Sequence, residues 1–247
     1  MIDIHSHIIP GVDDGPPTMI IASQILSEAR KAGVKTIIAT PHYNNELHEN
    51  GTVERNFRLL QKEALQYDIT IKKGYEIKIQ QYAAQMPDDY CQLTLGDSRY
   101  ILLELPFDKV PEYTFNLLYE LQLKRLIPIL AHPERCSKLA KDKHLLADLI
   151  ETGCLFQVDA ASIIGINGRT TKRFVRKIIT SGKVSFAASD AHEPNGYSNW
   201  YIKAYKKVQK WIGKQKADDL FIYNPESILE SMVWEPTDHL PFTSAEV

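Results

Sequence analysis

Two histidines near the start of the chain are spaced so that a single metal ion could bind both. His5 and His7 lie in the run MIDIHSHIIP. Residues two apart on a strand point to the same face, so their imidazoles can converge. His-x-His alone fits equally well with two polar residues that leave a strand. Asp13 and Asp14 follow in GVDDG, a sequence that by itself indicates only a turn.

More side chains that can bind metals follow short β-branched runs along the chain. They are His42 in TPH, Glu76 in GYE, Glu104 in LEL, His132 in AHPER, and Asp190 and His192 in SDAH. Glu104 interrupts the apolar run ILLELPF, where an unpaired carboxylate would be costly to bury. Imidazoles and carboxylates without thiolates favour Zn²⁺, Mn²⁺ or Fe²⁺ over an iron–sulfur cluster. The donors exceed the needs of one ion, so we expect about two or three ions, with Glu104 as a bridge.

Hydrolysis of a phosphate ester is the chemistry that such a site supports. Two divalent ions about 3.5–4 Å apart can hold both the attacking and the leaving oxygen, and a metal-bound hydroxide can attack the phosphate. Arg135 follows His132 by three residues, and its guanidinium could grip phosphate through two parallel hydrogen bonds. The alternative for Arg135 is a structural salt bridge in a loop.

The elements that must position these residues alternate along the chain. Strands are predicted at 2–4, 36–39, 69–72, 100–103, 128–131, 155–158 and 184–187. Helices are predicted at 17–32, 52–67, 111–124, 141–152, 168–181 and 199–213. Alternation of this kind indicates an α/β fold with parallel strands, either a barrel slightly short of eight strands or an open doubly wound sheet. In a barrel, all strand ends that carry these polar residues open on one face.

Composition restricts the classes of partner and mechanism. The 247 residues carry 29 Lys and Arg against 31 Asp and Glu, so bulk charge gives no support for binding nucleic acid. No apolar run approaches the roughly 20 residues that cross a bilayer. We therefore expect no membrane insertion. We also expect a cytoplasmic protein, because the three cysteines form no CxxC pair and the N-terminus shows no leader. None of them begins a Cys-x5-Arg sequence, which excludes the cysteine-based tyrosine phosphatase mechanism.

One domain over residues 1–233 is predicted, followed by an extended tail at 234–247 that contains Pro236 and Pro241. No linker rich in glycine or serine divides the chain. The sequence gives no indication of the oligomeric state.

The motifs occur in the order seen in the PHP (polymerase and histidinol phosphatase) family. Over about residues 1–230 the chain resembles bacterial PHP-type protein tyrosine phosphatases of capsule and exopolysaccharide loci, through MIDIHSHIIPGVDDG, TPH, GYEI, RYILLELPF, AHPER and SDAH. The resemblance implies a distorted TIM-like (β/α)7 barrel with a trinuclear centre, commonly Mn²⁺-dependent, with Fe²⁺, Zn²⁺ or Mg²⁺ as alternatives. The implied metal ligands are His5, His7, Asp14, His42, Glu76, Glu104, His132, Asp190 and His192. Arg135 is implied to contact phosphate, and either Asp190 or His192 could protonate the leaving oxygen.

The resemblance implies a protein-tyrosine phosphatase whose substrate is the phosphorylated Tyr-rich tail of a bacterial tyrosine kinase that controls polysaccharide synthesis. The alternatives are a small-molecule phosphatase such as one for histidinol phosphate, a phosphodiesterase, or a metal-binding scaffold with weakened catalysis. One departure favours the last of these. Relatives usually carry a second Arg five residues after the final His, where this chain has Tyr197. We predict that Tyr197 contacts the substrate through its phenol, without the positive charge.

Overall fold

Short strands alternate with helices throughout the computed structural model, which describes residues 1–80 and 90–230. The strands in these ranges are β1 Ile2–Ser6, β2 Thr36–Ala39, β3 Thr70–Lys73, β4 Glu76–Lys78, β5 Tyr100–Glu104, β6 Ile127–Ala131, β7 Leu155–Asp159 and β8 Phe186–Ala188. The helices are α1 Met19–Lys31, α2 Asn45–Glu49, α3 Thr52–Ala64, α4 Thr114–Leu123, α5 Ser137–Lys141, α6 Lys143–Glu151, α7 Ala160–Ile164, α8 Arg169–Thr180, α9 Ile202–Ile212, α10 Lys214–Asp218 and α11 Asn224–Glu230. Within the described ranges no helix combines the length and the apolar character that crossing a membrane requires.

All described strand pairs are parallel, which confirms the predicted α/β class. One sheet has the order β1-β2-β3 and the other the order β4-β5-β6-β7-β8. Isolated bridges link the sheets at two places, His42 to Glu76 and Ser6 to Ala191. The hydrogen-bonded sheets do not close, so the predicted barrel is not confirmed.

The gap between the sheets has a local cause at Gly74, two residues after the predicted third strand at 69–72. β3 pairs with β2, whereas β4, two residues beyond, pairs with β5. Gly74 packs tightly on the following segment, since a Cβ there would lie 2.7 Å from Leu95 Cδ2. Glu76 therefore opens a separate short strand, which the sequence analysis missed.

The six predicted helices all occur, with ends that shift by a few residues. Helix α9 is preceded by a π-helical segment, Gly196–Tyr201, so the predicted helix at 199–213 begins earlier than expected. Helices α2, α5, α7, α10 and α11 were not predicted. Each is only five to seven residues long, too short for a period of 3.6 residues to show in the sequence. The predicted tail lies outside the described residues.

Apolar residues pack on both sides of the strands. Most of the core lies between strands and helices, and a smaller inner cluster includes Ile4, Leu102, Ile129 and Phe186. The pairing of β1 with β2 shifts register between Asp3 and Ser6, an irregularity of the kind that re-aims side chains beside active sites. As a result Ile4 packs in the inner cluster, while His5 joins a buried polar cluster at the strand ends.

Candidate metal centre

A buried carboxylate, Glu76, lies at the centre of this polar cluster. Its Oε1 is 2.8 Å from Nε2 of His132. Its Oε2 lies within 3.5 Å of three more imidazoles: His5 Nε2 at 3.5 Å, His7 Nε2 at 3.2 Å and His42 Nδ1 at 3.1 Å. Glu76 is only 1% exposed, so water contributes little to its solvation. Four histidines from the ends of β1, β2 and β6 thus share one carboxylate.

Neighbouring oxygens fix the orientation of the two N-terminal histidines. Nδ1 of His5 lies 2.9 Å from Oε1 of Gln157. An amide oxygen only accepts, so His5 Nδ1 carries the proton and Nε2 is left to face the cluster. Nδ1 of His7 lies 2.7 Å from Oδ2 of Asp13 in the same way. The two Nε2 atoms are 3.2 Å apart, as two ligands of a shared ion would be.

The two adjacent aspartates of the GVDDG loop have different roles. Asp13 is nearly buried, and its Oδ2 accepts hydrogen bonds from both His7 and the backbone N–H of His42. Asp14 is 65% exposed, and its Oδ1 lies 3.2 Å from Nε2 of His192. Asp13 therefore holds ligands in place, a role that carboxylates often have behind metal-binding histidines, whereas Asp14 faces the cluster itself.

Asp190 connects the cluster to Arg135. One of its carboxylate oxygens lies 3.3 Å from His5 Nε2 and 3.5 Å from His7 Nε2. The other accepts a hydrogen bond of 2.9 Å from Nη1 of Arg135. His192 Nδ1 donates to the backbone oxygen of Asp190, which turns Nε2 towards the open side.

Eight of the nine predicted ligands fall into groups of three whose donor atoms lie within 4.8 Å of one another. The groups are His5–His7–Asp190, His5–Glu76–His132, His7–His42–Glu76 and His7–Asp14–His192. Glu104 belongs to none of them, and its Oε1 is 3.9 Å from His132 Nε2. The carboxylate in the shared position is therefore Glu76, not Glu104 as predicted.

The donor set fits divalent metal ions. It contains only nitrogen and oxygen, the ligands that Mn²⁺, Fe²⁺ and Zn²⁺ accept. Nδ1 of His42 is buried and makes no hydrogen bond, although it lies 3.1 Å from Oε2 of Glu76. A buried nitrogen without a hydrogen bond is costly unless another group binds it. A cation would satisfy this nitrogen and neutralise the neighbouring carboxylates together.

The ionisation of the cluster follows from burial and crowding. Burial opposes the charge on Glu76, but attraction to His5 and the hydrogen bond from His132 keep its pKa well below the usual value. Burial likewise opposes the charge on His5, but Glu76 and Asp190 raise its pKa to about 9. The pKa of His132 is raised to about 10, mainly by Asp159 and Glu76 against the effect of burial. In the absence of metal, protons thus balance the carboxylates.

Arg135 lies at the rim of the cluster. Its side chain is 32% exposed, and Nη1 lies 3.6 Å from Oδ2 of Asp159 in addition to the bond with Asp190. Its guanidinium stacks 4.5 Å above the ring of Phe107, which is 48% exposed. Beneath it, Glu134 accepts a hydrogen bond from the backbone N–H of Asp159, and burial together with the Asp159 charge raises the pKa of Glu134 to about 8. Arg135 is thereby positioned beside the metal cluster with its outer face open.

Tyr197 is fully buried, which corrects the prediction that it contacts substrate. Its hydroxyl donates to Oδ2 of Asp3 at 2.7 Å. The same carboxylate accepts hydrogen bonds from the backbone N–H and the hydroxyl of Ser189. To reach a bound phosphate, the ring would have to leave the core. Tyr197 therefore supports the backbone behind the cluster.

Sequence reasoning missed several supporting residues. Gln157 and Asp159 lie at the end of β7, and Asp159 carried the same strand-end signal as the predicted ligands. Asp3 stands within the DIHSH motif, where alternation with His5 and His7 was visible. Gln157 gave no signal, because only its contact with His5 reveals its role.

We predict that the metal-free protein loses stability as the pH rises from about 6.5 to 10. His5 and His132 have pKa values of about 9 and about 10 in the fold, above the ordinary histidine value of 6.5. Their contribution to stability is therefore complete below pH 6.5 and disappears as the pH rises through the folded-state values. The raised pKa of Glu134, about 8, acts in the same direction. Thermal unfolding of chelator-treated protein across this range measures the effect, and a constant or rising Tm would contradict it.

The comparisons with known proteins agree with this geometry. The family model described as "Capsular polysaccharide synthesis, CpsB/CapC" matches residues 1–230. Tyrosine-protein phosphatase YwqE of Bacillus subtilis is 39% identical over 87% of this chain and 86% of its own length. The putative tyrosine-protein phosphatase CapC of Staphylococcus aureus is 35% identical over 78% of this chain and 77% of its own.

Solved structures are similar as well. A chain from the work on YwqE from Bacillus subtilis and CpsB from Streptococcus pneumoniae, described as unique metal-dependent tyrosine phosphatases, superposes with a TM-score of 0.82 at 35% identity, covering 94% of this chain and 96% of that one. Histidinol phosphate phosphatase from Lactococcus lactis gives a TM-score of 0.50 at 14% identity over 89% and 94% of the two chains, a likeness of fold alone. On the match of the family model and these identities, the chain belongs to the CpsB/CapC family.

Proposed function

We propose that this chain is a metal-dependent protein-tyrosine phosphatase that acts in the control of capsular or exopolysaccharide synthesis. The observation that carries the proposal is the convergence of imidazoles and carboxylates on buried Glu76, with the cationic Arg135 beside them. The relatives named tyrosine-protein phosphatases, at up to 39% identity, support the choice of phosphotyrosine as the substrate group.

About two or three divalent ions would occupy the cluster, Mn²⁺ by preference, with Fe²⁺, Zn²⁺ or Mg²⁺ as alternatives. The residues proposed to hold them are His5, His7, Asp14, His42, Glu76, Glu104, His132, Asp190 and His192. Bound there, the ions would supply an activated water and positive charge for the phosphoryl oxygens.

The side chains around the cluster would bind and orient the substrate. Arg135 is held by Asp190 and Phe107 with its outer face exposed, so it can donate two hydrogen bonds to the phosphoryl group. Phe107 offers an exposed aromatic face for the tyrosine ring. Either Asp190 or His192 would donate a proton to the leaving phenolate oxygen.

We further propose that the protein substrate is the phosphorylated Tyr-rich tail of a bacterial tyrosine kinase and that the enzyme is cytoplasmic. Free, buried Cys136 and Cys154 support a reducing compartment.

The distorted seven-stranded barrel also belongs to this proposal. The bridges that join the two sheets on both sides support it.

Comparing three substrates tests the function. With Mn²⁺ present, we expect kcat/KM for a phosphotyrosine peptide to exceed that for histidinol phosphate and for a bis-nitrophenyl phosphodiester by at least about tenfold, since Phe107 and Arg135 favour an aryl monoester. Faster turnover of histidinol phosphate would replace the proposal with a small-molecule phosphatase. No turnover of any ester by fully metal-loaded protein would indicate a binding scaffold.

Replacing Glu76 with Gln tests the centre of the cluster. The substitution keeps the shape but removes the charge shared by four imidazoles, so we expect at least one ion fewer per chain and a loss of activity of about 100-fold or more. Elemental analysis and phosphopeptide turnover measure both. Glu28→Gln is the matched control, because Glu28 lies on α1, forms its ion pair with Lys31 and belongs to none of the donor groups of the cluster. Full metal content in the Glu76 variant would contradict the assignment.

Replacing Arg135 with Lys tests the phosphate contact separately from metal binding. A lysine keeps the positive charge but cannot make two parallel hydrogen bonds, so we expect kcat/KM for the phosphopeptide to fall by about 10- to 100-fold. Metal content should not change, because Arg135 donates to Asp190 without being a ligand. Wild-type kcat/KM in this variant would remove Arg135 from the phosphate site.

A further inference from the structure

Two neighbouring helices carry only positive charge. Helices α8 and α9 together contain nine Lys or Arg and no Asp or Glu. Several basic residues elsewhere in the described ranges pair with carboxylates, for example Lys73 with Glu54 and Lys138 with Asp142. No carboxylate of the described residues lies within 4.0 Å of the nine groups on α8 and α9, so these cations are uncompensated.

Four of these residues meet where the two helices pack together, and we call them the basic seam: Lys172, Arg176, Lys207 and Lys210. Nζ of Lys207 donates to the backbone oxygen of Ile164 at 3.4 Å. The guanidinium of Arg176 lies 5.8 Å above the ring of Trp211, one residue beyond Lys210. Burial and the charges of Lys172 and Lys210 lower the pKa of Lys207 to about 8. Like charges are held together here without a counter-ion, an arrangement that an anion would stabilise.

The seam lies close to the proposed phosphate site. Helix α7 leads from Asp159, 3.6 Å from Arg135, to Ile164, whose carbonyl binds Lys207. Its five residues span about 7.5 Å at 1.5 Å per residue. Helix α8 also contacts the turn at Pro133–Arg135. An extended peptide rises about 3.3 Å per residue, so a chain with its phosphotyrosine at Arg135 reaches the seam within a few residues.

We propose that the basic seam binds an acidic stretch of the protein substrate, Asp, Glu or further phosphotyrosines about three to six residues from the one being hydrolysed. The inference rests on the proposed phosphatase function and adds a substrate class to it. Outside α8 and α9 the chain has only twenty Lys and Arg against 31 Asp and Glu, so charge guides an anionic peptide to this face. A membrane fits less well, because Val175, Ile178 and Val208 of the two helices are buried in the core, and the partly buried Phe174 and Trp211 pack against it.

Two phosphotyrosine peptides of equal length test the seam, one with Glu and one with Gln at the flanking positions. We expect the wild-type enzyme to prefer the acidic peptide by about tenfold in kcat/KM, mainly through KM. In the variant Lys172→Gln/Lys207→Gln/Lys210→Gln this ratio should fall towards one. The variant Lys31→Gln/Lys35→Gln/Lys138→Gln removes three paired lysines elsewhere and should keep the preference. An unchanged ratio in the seam variant, or none in the wild type, would overturn the proposal.

Binding measurements separate this proposal from the enzymatic one. If neither peptide is hydrolysed, the phosphatase function fails, and fluorescence anisotropy of the labelled acidic peptide still reports whether the seam binds it. Binding of the protein to vesicles of phosphatidylglycerol and phosphatidylcholine is measured as well. If the seam residues are needed for vesicle binding but the enzyme shows no preference for the acidic peptide, the seam binds a membrane instead. Should the triple variant unfold, the wild-type preference is measured from about 0.05 to about 0.5 M salt. A preference that survives high salt contradicts an electrostatic seam.

Discussion

The crowding of charge around Glu76 is the constraint on which the site depends. One carboxylate with almost no contact to water faces four imidazoles, and Asp190 adds a second negative group to two of them. Taking such groups out of water costs several kcal/mol each unless partners replace the solvent. Protons provide that compensation in the free protein, and cations provide it in the metal-loaded one. The buried donors are therefore tied to strand ends, because a mobile donor would return to water.

A second layer of hydrogen bonds keeps these strand ends in place. The Asp3 carboxylate receives bonds from Ser189 and Tyr197, and so connects β1 with the segments that follow β8. Backbone bonds run alongside, from the Asp190 N–H to the His5 oxygen and from the His7 N–H to the Ala191 oxygen, each 3.0 Å long. Tyr197 stands where the family resemblance implied an arginine, but its phenol completes a buried network. The departure thus changes the support of the ligands, while Arg135 remains as the cation at the rim.

The sequence indicated which donor side chains converge better than it indicated the residues that support them, for a physical reason. A polar residue at the end of a β-branched run is visible in the sequence, and parallel strands bring such ends together, as with His42, His132 and Asp190. Whether a carboxylate is shared or peripheral depends on ångström-scale placement, so Glu104 was taken for the bridge and Glu76 was not. The number of residues between His192 and Tyr197 gives no indication that the side chain of Tyr197 is buried. Similarly, the split between β3 and β4 follows from packing at Gly74, which no periodicity shows.

Backbone strain at two cluster positions accompanies the turn that the chain makes at the strand ends. His132 has a φ of 31° and Asp190 a φ of 49°, a region that costs a residue with a side chain about 1–2 kcal/mol. Both follow the ends of their strands, where the chain must turn while the side chain continues towards the cluster. Such strain persists only where surrounding contacts over-determine it. At Asp190 the backbone N–H donates to the His5 oxygen and the carboxylate accepts from Arg135. At His132 the backbone oxygen accepts from the Arg135 N–H and Nε2 lies 2.8 Å from Glu76. The same hydrogen bonds that join the strand ends therefore also hold these two side chains towards the cluster.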